Sequence, residues 1–217
     1  VKKMKGNAVP WWGWFAWVIA IALGIVAYNH LPTQVATHFN LAGKPDHMGS
    51  RLEAVLMEPT IMLGIILLWH VLWRIDPKKR NYESFWSTYR YIGGVIVVFI
   101  GVMYLSTLEH VLNIAPIRFS MRFGPTTLGI MILLLANVLP RLQPNWWVGI
   151  RTPWTLSSTE SWNRTHRLAG HLGFPTGVLM VILVWVLPNS LIPLAILVPI
   201  ILWVLITVVA SYVYAKT

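Results

Sequence analysis

Two groups of side chains in this sequence have types and spacings that could do chemistry. The first is His38, Asp46 and His47, followed by Glu58 and, further along, Glu109 and His110. Imidazole and carboxylate together suit zinc or another divalent ion, and could serve as acid and base on a membrane substrate. Their spacing matches no metal motif, and no H-E-x-x-H is present. A solvated loop with turns at Asn40, Gly43 and Asp46 accounts for the same residues without a ligand. No cofactor is expected; a divalent ion on His38, Asp46 and His47 is the one alternative.

The second group is denser. Pro144 to Leu172 reads PNWWVGIRTPWTLSSTESWNRTHRLAGHL and holds three arginines, two histidines, a glutamate and four tryptophans. Arg151 is a planar five-donor cation suited to bidentate contacts. Ser157-x-x-Glu160 has the form of a capping box, which predicts a helix beginning near Ser158. On that helix Trp162, His166 and Ala169 share one face. An amphipathic helix lying in the interface, with snorkelling arginines, explains the pattern without a partner. A docking surface for an acidic partner explains it with one. In that reading Asn145, Arg151, Thr152, Trp154, Trp162, Thr165, His166 and Arg167 are the partner-binding candidates. His166 and Arg167 are expected to point outward from the helix, while Arg151 and Trp154 pin the turn at Thr152-Pro153.

The elements that must position these groups are greasy. Of the 217 residues, 56% are hydrophobic and 11% charged, against about a quarter charged in a soluble domain. The apolar residues come in continuous runs without period-two alternation, so helices are expected rather than a barrel. The fold class is all-α: a polytopic integral membrane protein in the lipid bilayer with about six transmembrane helices. An amphipathic cytoplasmic helix is expected between spans 4 and 5. The spans are read as 11–28, 54–73, 91–111, 123–139, 170–187 and 191–215. Between the first two lies a polar stretch, 30–53, whose Pro32, Gly43, Pro45 and Gly49 rule out a long helix. Gly173-x-x-x-Gly177 would let another helix approach closely. Organisation along the chain is read as an N-terminal membrane region over 1–70, central spans and loop over 71–120, and a membrane domain over 121–217 carrying the polar stretch 144–172.

Net charge is +10. In a membrane chain this reflects loops on the cytoplasmic side rather than direct nucleic-acid binding. Of the 17 Lys and Arg residues, all but Lys44, Arg51, Arg118 and Arg122 fall on the side holding 144–172 and both ends of the sequence. That side is therefore expected to be cytoplasmic, with 30–53 outside. Glu58 and Glu109 then lie near the outer ends of their helices. Carboxylates there either snorkel to the headgroups or face a cavity or partner. An outer cup is expected in which His38, Asn40, Asp46, Glu58 and Glu109 bind a ligand beside Arg118 or Arg122. Cysteine is absent, which excludes disulfides and thiol catalysis.

Pro144-Asn145, Gly149-Ile150-Arg151-Thr152-Pro153-Trp154-Thr155-Leu156, Trp162, Thr165-His166-Arg167 and Gly170 together closely resemble the cytoplasmic signature of the SdpI family of bacterial membrane proteins. Leu31-Pro32, Val35, His38-Phe39-Asn40, Gly43 and Pro45-Asp46 resemble a domain of unknown function that often precedes the SdpI domain. The resemblance implies a six-span protein of the bacterial plasma membrane. It also implies immunity to a secreted toxic peptide, and a receptor role in which a cytoplasmic transcriptional repressor is sequestered at the membrane. Two other classes stand beside it. A membrane-embedded metal-dependent enzyme would use the His, Asp and Glu groups of the outer face, and no catalytic motif supports it. A small transporter would need polar groups at the midplane, where these spans are apolar.

Overall fold

Each apolar run becomes a helix, and most helices overrun the run that announces them. The computed structural model describes residues 6–39, 45–114 and 117–216. Within them the helices are α1 (Trp11–Tyr28), α2 (Arg51–Ile75), α3 (Tyr82–Val111), α4 (Ile117–Ala136), α5 (Pro153–Ser157), α6 (Thr159–Val186) and α7 (Ile192–Lys216). Six of these are long and apolar enough to cross a membrane; α5 is a single short turn. The chain is a multi-pass membrane protein, with the all-α class expected from the uninterrupted apolar runs.

The overruns have local causes. Ser50 caps α2 by accepting the Glu53 N–H at 3.2 Å, so the helix starts before the apolar run does. The loop expected over 74–90 contracts to a corner, because α3 already begins at Tyr82. At about 1.5 Å per residue, α3 exceeds a hydrocarbon core of about 30 Å, and its first turns carry the polar residues. The amphipathic segment expected between spans 4 and 5 is present as the first turns of α6, continuous with the fifth span, preceded by α5. Ser158 rather than Ser157 is the cap: its hydroxyl accepts the Ser161 N–H at 3.2 Å.

Residues 30–53 are not a plain loop. Strands β1 (Gln34–Phe39) and β2 (Pro45–Ser50) pair antiparallel as a hairpin. Val35 and Thr37 turn inward while Gln34 and His38 face out, the period-two alternation of a strand. The hairpin rests on α2 and α3.

Helices α1, α2 and α3 pack on one another, α4 packs on α6 and α6 on α7, and α3 meets α4 between the two groups. Without a hydrophobic difference between lipid tails and side chains, such packing relies on close approach and buried hydrogen bonds. Both are present. A Cβ on Gly177 would stand 2.7 Å from Gly129 O, and one on Gly173 would stand 2.7 Å from the Ala136 side chain, so both glycines admit α4. Pro59 within α2 has no N–H for the Val55 carbonyl one turn earlier. The buried Tyr104 hydroxyl of α3 donates to that carbonyl at 3.5 Å, and Trp17 of α1 donates to Pro59 O at 2.9 Å.

Candidate functional site

The polar stretch after α4 is built from its own side chains. Asn145 is 0% exposed, and its amide is fully used. Its Oδ1 accepts the N–H groups of Trp147 at 2.9 Å and Val148 at 2.7 Å, and its Nδ2 donates to Gln143 O and Val148 O, each at 2.9 Å. A short amide that bonds the next turns is what fixes such a loop. Gly149 follows with φ +116°, and a Cβ there would collide with His166 Nε2. The close approach lets the Ile150 N–H donate to His166 Nε2 at 2.9 Å. His166 Nδ1 donates to Trp162 O at 2.8 Å. One ring nitrogen donates and the other accepts, so the two bonds together require the neutral Nδ1–H imidazole. Its ring stacks on Trp162 at 4.1 Å, and Trp162 Nε1 donates to Leu142 O at 2.9 Å.

Thr152 opens α5 with a reciprocal cap. The Thr155 N–H donates to Thr152 Oγ1 at 3.2 Å, and the Thr152 N–H donates to Thr155 Oγ1 at 2.9 Å. Thr152 Oγ1 also meets Ser211 Oγ of α7 at 2.9 Å, and Ser161 Oγ donates to Ser211 O at 2.9 Å. Trp154 packs edge-on against Tyr212 at 5.0 Å. The stretch is thus sewn to the last helix.

It is sewn to the first group of helices as well, through residues that sequence reasoning passed over. Asp76, 2% exposed, accepts the Trp146 N–H at 2.9 Å and the Tyr82 hydroxyl at 2.7 Å on Oδ2. Asn81 Nδ2 donates to Pro144 O at 2.7 Å, and Lys78 Nζ donates to Leu156 O at 3.3 Å. A lone aspartate in a basic corner gives no sequence signal of this role.

These positions revise the partner-binding candidates. Asn145, Thr152, Trp162, Thr165 and His166 are buried, so they shape the stretch and present nothing outward. His166, expected to point out from its helix, points in because its face is the one that Gly149 and Ile150 cover. Thr165 Oγ1 has no hydrogen-bond partner among the described residues. Of the candidates, Arg151 and Arg167 are exposed and Trp154 is half-buried. Arg151 pins the loop to itself, donating from Nη1 to Trp146 O at 2.6 Å. Trp146 and Trp147, 48% and 37% exposed, stand beside it.

At the opposite end the expected cup is not assembled as foreseen. His38 Nδ1 and Asp46 Oδ1 are 2.5 Å apart in an exposed pair, whereas His47 Nδ1 is bonded to Thr37 Oγ1 at 2.7 Å. Among the described residues no three His, Cys, Asp or Glu side chains gather as a metal site would require. Glu58 and Glu109 are half-buried on α2 and α3. Arg122 is not free to join them. It is 3% exposed and closes the end of α6, bonding Val184 O, Leu187 O at 3.0 Å and Asn189 Oδ1 at 2.8 Å. A guanidinium on the last carbonyls of a helix satisfies groups that have no partner within it. Asn40 lies outside the described residues, as does the side chain of Arg118.

Comparison with known proteins agrees with this geometry. The model of the SdpI/YfhL protein family matches residues 141–211, which contain the whole sewn stretch, α6 and most of α7. A second model, Domain of unknown function (DUF1648), matches residues 15–63, from α1 through the hairpin into α2. The chain is 23% identical over 198 residues to "Immunity protein SdpI" of Bacillus subtilis (strain 168), covering 91% of each. It is 30% identical over 76 residues to "Uncharacterized membrane protein YbgB" of the same strain, covering 35% of this chain and 74% of that protein. The chain belongs to the SdpI family. No solved structure matches it. Of the residues that carry the SdpI signature, Asn145, Thr152, Thr155, Trp162 and His166 are buried in the loop's own hydrogen bonds. Asp76, Lys78, Asn81 and Tyr82, which hold that loop from outside, fall in neither matched segment.

Proposed function

We propose that this SdpI-family chain is an immunity protein and receptor of the bacterial plasma membrane. In this reading the hairpin end faces outward and meets a secreted toxic peptide. The signature end, with both termini, faces the cytoplasm and retains a transcriptional repressor there. The observation that carries the reading is the signature loop. It is fixed by Asn145, Thr152 and His166 inside and leaves Trp146, Trp147 and Arg151 outside. A connector between two spans needs no such construction, whereas a preorganised docking face does. A relative that aligns over 91% of this chain is named for immunity. The basic residues of this end favour an acidic partner surface.

The test is survival. A sensitive bacterial strain with and without the gene is challenged with medium conditioned by the gene's own host. Protection that depends on the gene is the expected result, and equal killing of both strains overturns the immunity reading. Cell fractionation of the same strains then asks whether a DNA-binding protein moves to the membrane when the chain is present.

A further inference from the structure

Coupling between the two ends needs a path, and α2 and α3 form one. Both carry the hairpin at one end. Toward the other end they are tied to each other: Trp69 Nε1 donates to Tyr89 O at 3.0 Å, Tyr89 Oη donates to Trp69 O at 2.6 Å, and the rings stack at 4.9 Å. Beyond this tie the pair closes in the corner that holds Asp76. Phe85, at φ −125° and ψ 22°, breaks the helical path of α3 between the tie and the corner. The corner therefore has a joint on its α3 side while α2 runs directly into it.

Asp76 stands at the carbonyl end of α2, where a helix disfavours an anion. Its oxygens are spent elsewhere. Oδ1 accepts the Lys78 N–H at 2.7 Å, and Oδ2 accepts Tyr82 Oη and the N–H of Trp146, 70 positions later. The carbonyl of that same residue accepts from Arg151 Nη1 at 2.6 Å. Trp146 is thus held at its N–H by a carboxylate and at its C=O by a guanidinium. One residue thus links the carboxylate of the corner to Arg151 of the signature.

We propose that Asp76 is the positioning residue through which the α2–α3 pair sets the outward face of the signature, Trp146, Trp147 and Arg151. The proposal deepens the receptor reading, from which it takes its purpose; the geometry stands apart from it. Hydrogen bonds to a charged acceptor hold more strongly than neutral ones, so the Asp76 contact dominates the ties between corner and loop, which also include Asn81 to Pro144 O and Lys78 to Leu156 O.

The chain contains no cysteine, so a single Trp147→Cys substitution reports on the loop. The full chain in membrane vesicles is labelled with a polar maleimide in four backgrounds: otherwise unchanged, Val35→Ala beneath the hairpin, Asp76→Asn, and both together. Asp76→Asn keeps the side-chain shape and replaces one acceptor oxygen by a donor. It is expected to raise the labelling rate about tenfold, the loss of one hydrogen bond to a charged acceptor. Val35→Ala is expected to change the rate when Asp76 is present and to have a much smaller effect when it is Asn, where only the ties from Asn81 and Lys78 remain. Tyr82→Phe, which removes one donor and leaves the carboxylate, is expected to act in the same direction more weakly; it carries the test if Asp76→Asn fails to accumulate. A Val35→Ala effect of equal size with and without Asp76 overturns the proposal, because a merely structural carboxylate would allow that. An unchanged rate in Asp76→Asn overturns it too. No toxin enters the experiment, so a hairpin response without protection in the survival test would sink the receptor reading and leave the positioning role standing.

Discussion

At His166 one imidazole serves two backbone groups, accepting from Ile150 and donating to Trp162 O. Removing it strands the Ile150 N–H in a half-buried site and opens space against Trp162. His166→Ala is therefore expected to cost about 2–3 kcal/mol, read as a lower unfolding temperature in detergent and lower abundance in the membrane. Gly149→Ala should act in the same direction, since φ +116° and the His166 ring both refuse a Cβ. Unchanged stability in His166→Ala, with only partner retention lost, would return His166 to a docking role. The sequence shows that Trp162, His166 and Ala169 share a face. It does not show which way the face turns, because the partners that bury it, Leu142 and Ile150, come from a loop without periodicity.

Elements were legible where one residue type filled them. The apolar runs name the spans, and Gly173-x-x-x-Gly177 names the face of α6 that admits another helix. Gly177→Leu should consequently separate α4 from α6 and destabilise by about 1–3 kcal/mol through overpacking, checked by thermal unfolding beside the exposed control Phe174→Leu. Equal stability of the two variants would mean that the approach of Gly177 to Gly129 is slack. The hairpin was not legible as strands. Val35 and Thr37 alternate with outward residues, but Pro32, Gly43, Pro45 and Gly49 around them read as loop. Strand pairing is decided by the opposite strand and the helices beneath, which local composition does not contain.

For the molecule as a whole, the proposed orientation rests on the crowding of basic residues at the signature end. Reporter fusions after Lys44 and after Ser157 should read outside and inside respectively, and the same reading from both would refute the six-span path. What escaped sequence reasoning at this scale is the join between the two groups of helices. Asp76 and Trp146 are 70 positions apart, and nothing about a solitary aspartate among lysines announces a partner so distant. Its importance is a property of the assembled chain.

The bond between Thr152 and Ser211 has a consequence for the life of the protein before it works at all. The two residues lie 59 positions apart. At about 5–20 residues per second, a ribosome delivers the second roughly 3–12 s after the first. During that interval the signature is already made but cannot seal on α7, because Thr152 and Ser161 await a helix not yet inserted. Translation order therefore imposes a delay: a nascent chain stalled before Ser211 carries every residue of the signature loop and none of its seal on α7. On the proposed receptor reading, competence to bind a partner then requires that synthesis has run past Ser211 of α7.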